Sequence, residues 1–420
     1  MARIGIIGGG AAGMFAAVQA AGYGHEIHLY EQNEKLGKKL FITGKGRCNF
    51  TNDCSEEEFF QNIVTNAKFM YSSGYGYTAR RIMEFFEEHQ VPVKVERGNR
   101  AFPKSDHSSD IIRALERALK ESGVRIHLGT RVRHLTCTDG AVTGIVLEDG
   151  THLPMDAVVI ATGGLSYPST GSTGDGYRMA KECGHTVTEL KPALVPLETG
   201  ESYIPKLQGL SLKNVVFRVK GKKKPVYEGF GEMMFTHFGV TGPLVLSASS
   251  YIGKAGLPWP LSAEIDLKPA LTENQLDERL IREFRAAQNR QFKNVVPELF
   301  PARLVPVMIE CSGIAPDAPV NGISREDRRR LAEITKHFPM TLVGTRPFRE
   351  AIITQGGISV REVQPGTMES RKIQRLYFAG EVLDVDALTG GFNLQVAWST
   401  AYAAACAMEQ IETFRKEEKI

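Results

Sequence analysis

The segment Gly8-Gly9-Gly10-Ala11-Ala12-Gly13 spells G-x-G-x-x-G, and the chemistry open to it is the holding of a diphosphate. In that pattern Gly8 permits a tight turn, Gly10 lets the backbone approach a pyrophosphate, and Gly13 lets a helix pack on a strand. The anion then meets free N–H groups and the positive end of the helix dipole. Glu31 stands eighteen residues after Gly13. Its carboxylate suits the hydroxyls of an adenosine ribose and disfavours a 2′-phosphate. These residues work only if strand, helix and second strand surround them. Arg3 to Ile7 is a short β-branched run suited to a buried parallel strand, Met14 to Val18 is helix-compatible, and His25 to Tyr30 resumes a strand that ends at Glu31. A dinucleotide-binding unit opens the chain.

Three later stretches say which dinucleotide. Asp156 to Gly164 reads DAVVIATGG, a buried strand ending in Ala-Thr-Gly-Gly, and Leu376 to Glu381 reads LYFAGE, a strand ending in Gly-acid. Thr389-Gly390-Gly391-Phe392-Asn393-Leu394-Gln395 then leads into a helix-like run from Val396 to Met408. Together with the opening loop these resemble the FAD fold of glutathione-reductase-type and fumarate-reductase-type flavoproteins. The resemblance implies that the last helix points its N-terminus at the pyrimidine edge of the flavin, where reduction leaves negative charge. The late acid is usually Asp in that pattern and is Glu381 here.

The resemblance narrows at Thr43-Gly44-Lys45-Gly46-Arg47-Cys48-Asn49-Phe50-Thr51. This run is similar to the TGxGRCNxTN signature of bacterial NAD(P)/FAD-dependent oxidoreductases, as are Thr170 to Gly176, Phe235 to Pro243 and Thr354 to Ile358. Members of that family include a ribosomal-RNA dihydrouridine synthase and a reductase of bile-acid metabolism. The resemblance implies an FAD enzyme reduced by NADH or NADPH. Its implied cofactor residues are Gly8, Gly10, Ala11, Ala12, Gly13, Glu31, Gln32, Lys39, Gly46, Arg47, Cys48, Asn49, Ala161, Thr162, Gly163, Gly380, Glu381, Gly391, Phe392, Asn393, Leu394 and Gln395.

The expected reaction is hydride transfer from flavin N5 to a carbon–carbon double bond conjugated to a carbonyl. The protein supplies orientation, donors to the carbonyl oxygen and a proton. His237, in a loop between Thr236 and Gly239, is the candidate proton donor, and Arg47 is the candidate for stabilising an enolate. Uridine in 23S ribosomal RNA is one expected substrate, and a small enone (a steroid or quinone-like acceptor) is the alternative. A third reading is a non-catalytic RNA-associated flavoprotein. Lys213, Arg218, Lys220, Lys222, Lys223 and Lys224 form a cationic stretch free of acids that could follow phosphates, although such runs are also ordinary solvated turns.

Several chemistries are excluded. No second strand–GxGxxG–helix unit offers nicotinamide its own domain, so the reductant is expected as a transient visitor. The six cysteines form no CxxC, which argues against a dithiol relay. The ten histidines show no zinc-like spacing, and no metal is expected.

The 420 residues and a net charge of +3 describe a globular chain that is no global polycation. The charge-free stretch from Ile4 to Gly24 imitates a signal peptide, but its glycines interrupt the apolar core such a signal needs. A cytoplasmic protein without a membrane segment is expected, and its oligomeric state is open. The fold class is α/β: a Rossmann-like FAD-binding domain in two parts, 1–190 and 346–420, with insertions that form a substrate-side cap. The insertions are a β-rich subdomain at 191–270, with strand runs Asn214 to Lys220 and Leu261 to Leu267, and a small helical one at 271–345, with helices over Leu276 to Ala287 and Arg325 to Lys336.

Overall fold

The computed structural model describes residues 1–409 and Ile411. It divides into two compact units, Met1–Ala193 with Phe348–Ile420, and Leu194–Pro347. Of the expected 346–420 part, Gln410 and residues 412–420 lie outside the described residues.

In the first unit, Arg3–Ile7 is the central strand of a five-stranded parallel sheet. Glu26–Tyr30 and then Arg125–His127 lie on one side, and Ala157–Ile160 and then Leu376–Phe378 on the other. The runs AVVI and LYF are wholly buried, as continuous apolar strands covered on both faces should be. Helix Ala11–Ala21 crosses between the first two strands and packs against the closing helix Phe392–Met408. The strands end at Ile7, Tyr30, Ile160 and Phe378, so one edge of the sheet gathers the residues that follow them. In open parallel sheets that edge is where ligands bind. A separate antiparallel meander runs through Val132–Thr138, Ala141–Leu147 and His152–Pro154.

The second unit is a closed six-stranded antiparallel barrel. Around it run Leu197–Thr199, Gly239–Thr241, Tyr227–Phe235, Ser211–Val219, Leu261–Asp266 and Phe338–Thr345. The expected boundary at 270/271 does not separate two bodies. Helices Glu273–Ala286 and Arg325–Lys336 are inserted between the last two barrel strands, and their Leu276, Leu280, Phe284 and Leu331 share one core with Phe217, Phe235, Phe338 and Leu342. Phe338–Thr345, expected within the helical part, is the strand that closes the barrel against Leu197–Thr199. Among the described residues no helix is long and apolar enough to cross a membrane.

The barrel holds one carboxylate in an unusual setting. Glu264 is buried, and burial alone would raise its pKa. Hydrogen bonds from Lys220 (2.9 Å), His337 (3.0 Å) and Arg218 outweigh that and hold it down at about 2. A depressed folded-state pKa stabilises the fold above the ordinary carboxylate value of 4.5 and loses that contribution as pH falls toward about 2. Calorimetric melting over that interval should therefore show a smaller loss of thermal stability for Glu264→Gln than for the wild type. Equal acid sensitivity of the two proteins would refute the assignment.

Candidate FAD-binding site

The opening loop is held by its own backbone. Gly8 N donates to Tyr30 O at 2.8 Å. A Cβ on Gly8, whose φ is +108°, would stand 2.5 Å from Ala161 O, and one on Gly13 would stand 1.8 Å from Gly8 O. Both positions thus exclude a side chain. A Cβ on Gly10 would meet no protein atom within 4 Å, so the space beside it is left for a ligand. Helix Ala11–Ala21 has no side-chain N-cap and no acid in its first turn. Its first N–H groups lack intrahelical partners and carry the positive end of the dipole, which makes an anion site.

Glu31 closes the loop from the next strand. Its Oε2 accepts from Gly9 N at 2.7 Å, and its Oε1 accepts from Asn33 N at 2.8 Å and Asn33 Nδ2 at 2.7 Å. Gln32 donates to Gly171 O at 2.7 Å and Asn33 to Thr170 O at 3.1 Å, which ties the 170–171 turn to the same rim.

These elements border a solvent-open cleft that runs from the glycine loop past Glu31 to Asn393 and Leu394 of the closing helix. Of the residues expected from sequence, Gly8, Gly10, Ala11, Ala12, Glu31, Gln32, Lys39, Ala161, Thr162, Gly163, Gly380, Glu381, Asn393 and Leu394 line it. Thr162 lines the cleft, but its Oγ1 turns away from it and is buried against Gly176. Glu381 has found work despite being longer than the usual Asp. Its Oε2 pairs with Lys39 Nζ at 2.5 Å, while its Oε1 accepts from Ser166 Oγ at 2.7 Å and Thr354 N at 2.9 Å. Asn393 fixes the turn before its helix, exchanging bonds of 2.9 and 2.7 Å with the N–H and carbonyl of Ala387.

Other expected cofactor residues lie outside the cleft lining. Gly13 stands behind the loop. Gly46 ends the left-handed stretch Gly44-Lys45-Gly46. Arg47, expected at the flavin and as an enolate stabiliser, instead pairs with Glu96 at 2.5 Å and Asp106 at 2.6 Å and lies over the Phe102 ring. Those partners are supplied by the neighbouring hairpin Val93–Pro103 and the turn after it, which local sequence does not reveal. Cys48 is fully buried with a thiol pKa pushed up by desolvation, and so is an inert packing residue. Asn49 Oδ1 is buried without a partner among the described residues. Gly391 abuts Thr51 O, and Phe392 is core. Gln395 is buried on Thr51 Oγ1 (2.6 Å) and Tyr77 O (2.8 Å).

The TGxGRCNxTN run accordingly acts as a cradle for the closing helix. Asn52 Nδ2 donates to Gly390 O at 2.9 Å, and Trp398 Nε1 donates to Phe50 O at 2.8 Å. His237 lies in the second unit, exposed in the turn between Tyr227–Phe235 and Gly239–Thr241, its ring edge-on to Phe238.

Sequence reading missed Arg131 and Asp175, which line the cleft and pair at 2.9 Å. Asp175 lies in the run Thr170 to Gly176 that carries the family resemblance, so a signal existed. Arg131 precedes an ordinary strand and offered none. Among the described residues no cluster of His, Cys, Asp or Glu could hold a metal ion.

Comparison with known proteins agrees with this geometry. A family model described as the HI0933-like protein Rossmann domain matches residues 2–407. The 3-dehydro-bile acid delta(4,6)-reductase of Clostridium scindens is 33% identical, over 96% of this chain and 98% of that protein. The ribosomal RNA dihydrouridine synthase of Haemophilus influenzae is 31% identical, over 96% of this chain and 98% of that protein. The solved 3-ketosteroid delta1-dehydrogenase of Sterolibacterium denitrificans shares the fold at 14% identity, with a TM-score of 0.52 over 97% of this chain and 100% of that one. The chain belongs to the HI0933-like protein family, a group of oxidoreductase flavoproteins, and its first unit is a Rossmann-like FAD-binding domain.

Proposed function

We propose that this chain is an NAD(P)H-dependent reductase of a carbon–carbon double bond conjugated to a carbonyl, with uridine of 23S ribosomal RNA as its substrate. One observation carries the reaction class. Two relatives aligned over 96% of the chain are named for different substrates, yet both names describe reduction of a bond of this kind. The 5,6-double bond of uracil is conjugated to its C4 carbonyl, and a steroid Δ4,6 ketone has the same polarity.

FAD, when bound, supplies the two-electron hydride chemistry. The chain's part is to hold and to donate. Unpaired N–H groups at the start of Ala11–Ala21 receive the diphosphate, and Glu31 accepts from ribose hydroxyls. Asn393 holds the start of the closing helix rigid, so that its N-terminal N–H groups present positive potential to a fixed place. His237, which forms no hydrogen bond among the described residues, is the proposed proton donor. The Arg47 ion pairs favour a structural role for that side chain over contact with an enolate.

A second reading, reduction of a small enone, is favoured by the state of the cationic stretch. Arg218 is spent on Glu228 and Glu264, and Lys220 on Glu264, so Lys213 and Lys222–Lys224 remain for RNA phosphates. Nucleoside mass analysis of ribosomal RNA from a deletion strain tests the main reading. Loss of dihydrouridine, restored by the wild-type gene and not by His237→Ala, is expected. Unchanged dihydrouridine would refute the RNA substrate. Purified FAD-loaded protein that neither NADH nor NADPH reduces would refute the reductase itself.

A further inference from the structure

The Rossmann unit contains a pair of thiols that its cofactor site does not use. Cys137 lies near the end of strand Val132–Thr138, and Cys183 follows the last residue of helix Asp175–Glu182. Their sulfurs are 3.8 Å apart. A disulfide needs about 2.05 Å between sulfurs, so closing the gap takes side-chain rotation and a small backbone adjustment. The strand's register shifts between Thr136 and Cys137, a place where a ladder can give. Cys137 is exposed and Cys183 half-buried. We propose that Cys137 and Cys183 form a reversible disulfide that staples this strand to this helix and retains FAD in the cleft.

The step balances with a hydroperoxide as oxidant. The Cys137 thiolate attacks a peroxide oxygen, the O–O bond breaks and hydroxide leaves, giving a sulfenic acid. The Cys183 sulfur then attacks the Cys137 sulfur. The S–S bond forms, the S–O bond breaks, and the departing oxygen takes the thiol proton as water. Two thiols lose two electrons, and one hydrogen peroxide becomes two waters. Burial, and then the neighbouring Cys137, keep the Cys183 thiol protonated, which assigns the first attack to Cys137.

The link to the cofactor runs along the same two elements. Arg131, just before the strand, pairs with Asp175, the first residue of the helix, and both line the cleft. His134, midway along the strand, meets Glu182, the last residue of the helix, at 2.9 Å. The thiol pair is thus the far end of a series whose near end borders the ligand space. A covalent bond there suppresses local opening of the strand–helix pair and so slows escape of the ligand. The effect on FAD rests on the cleft being the flavin site; the disulfide does not.

The test uses the FAD-loaded protein treated with hydrogen peroxide, alkylated, digested and analysed by mass spectrometry. A Cys137–Cys183 cross-linked peptide that dithiothreitol removes is expected in the wild type and absent from Cys137→Ser and Cys183→Ser. FAD release, followed by recovery of flavin fluorescence on dilution, should be several-fold slower in oxidised than in reduced wild type and indifferent to peroxide in Cys137→Ser. Over-oxidation of Cys137 without a cross-link, or a cross-link to another cysteine, would overturn the site. A cross-link with unchanged FAD release would overturn its link to the cleft.

Discussion

A Gly13→Val protein is expected to emerge without bound flavin and to melt at a lower temperature than the wild type. The added Cβ would lie 1.8 Å from the carbonyl oxygen of Gly8, a backbone atom that cannot rotate aside. Relief requires the helix Ala11–Ala21 to move off the loop, which displaces the N–H groups that receive the diphosphate. Overpacking of this kind costs about 1–3 kcal/mol or more in stability. The loss of flavin should be complete, because binding needs those N–H groups aimed at one point. Gly46→Ala is the matched control. Gly46 also has a positive φ, +84°, but a Cβ there meets no atom within 4 Å. Its cost is the left-handed strain of about 1–2 kcal/mol, and flavin content should stay near that of the wild type. Flavin per chain in the two purified variants checks both; a flavin-loaded Gly13→Val protein would contradict the geometry.

Trp398→Ala should produce the largest loss of stability. Trp398 is fully buried in the closing helix, edge-on to Phe15 at 5.6 Å and to Phe86 at 5.9 Å, and its Nε1 donates to Phe50 O. Removing a core aromatic costs about 3–5 kcal/mol through lost burial and the cavity left behind. Trp398→Phe keeps much of the packing and gives up the hydrogen bond, leaving the Phe50 carbonyl unsatisfied at a cost of about 1–3 kcal/mol. The thermal midpoint of the first unit should therefore fall in the order wild type, Phe, Ala. Flavin affinity should fall in the same order, because the helix carries Asn393 and Leu394 at the cleft. Equal melting of Trp398→Ala and wild type would show that the closing helix is not anchored through this contact.

Legibility in the sequence followed the range of the interactions. The strand–loop–helix at 3–21 is local, and its glycine spacing specifies both the turn and the site. The stretch 391–395 was legible only in part. Five consecutive residues were assigned to one ligand, but a helix turns about 100° per residue. Asn393 and Leu394 reach the cleft, while Phe392 and Gln395, three residues apart, face inward. Arg47 stands in the TGxGRCNxTN run, and nothing nearby in sequence announces Glu96 or Asp106 as its partners. Glu381 likewise meets Lys39 from 342 residues away. The barrel's closing strand was hidden twice, by Pro339 within it and by a pairing of Leu197 with Thr345 that no short window contains.

The cleft at the carboxyl ends of the parallel strands is the place that FAD must occupy for any of this chemistry. Equilibrium dialysis of the purified, flavin-stripped chain against FAD, read by visible absorbance, addresses this directly. Saturable uptake approaching equimolar FAD, abolished in Gly13→Val and weakened in Glu31→Ala, is the predicted result. A chain that stays colourless at saturating FAD would contradict it.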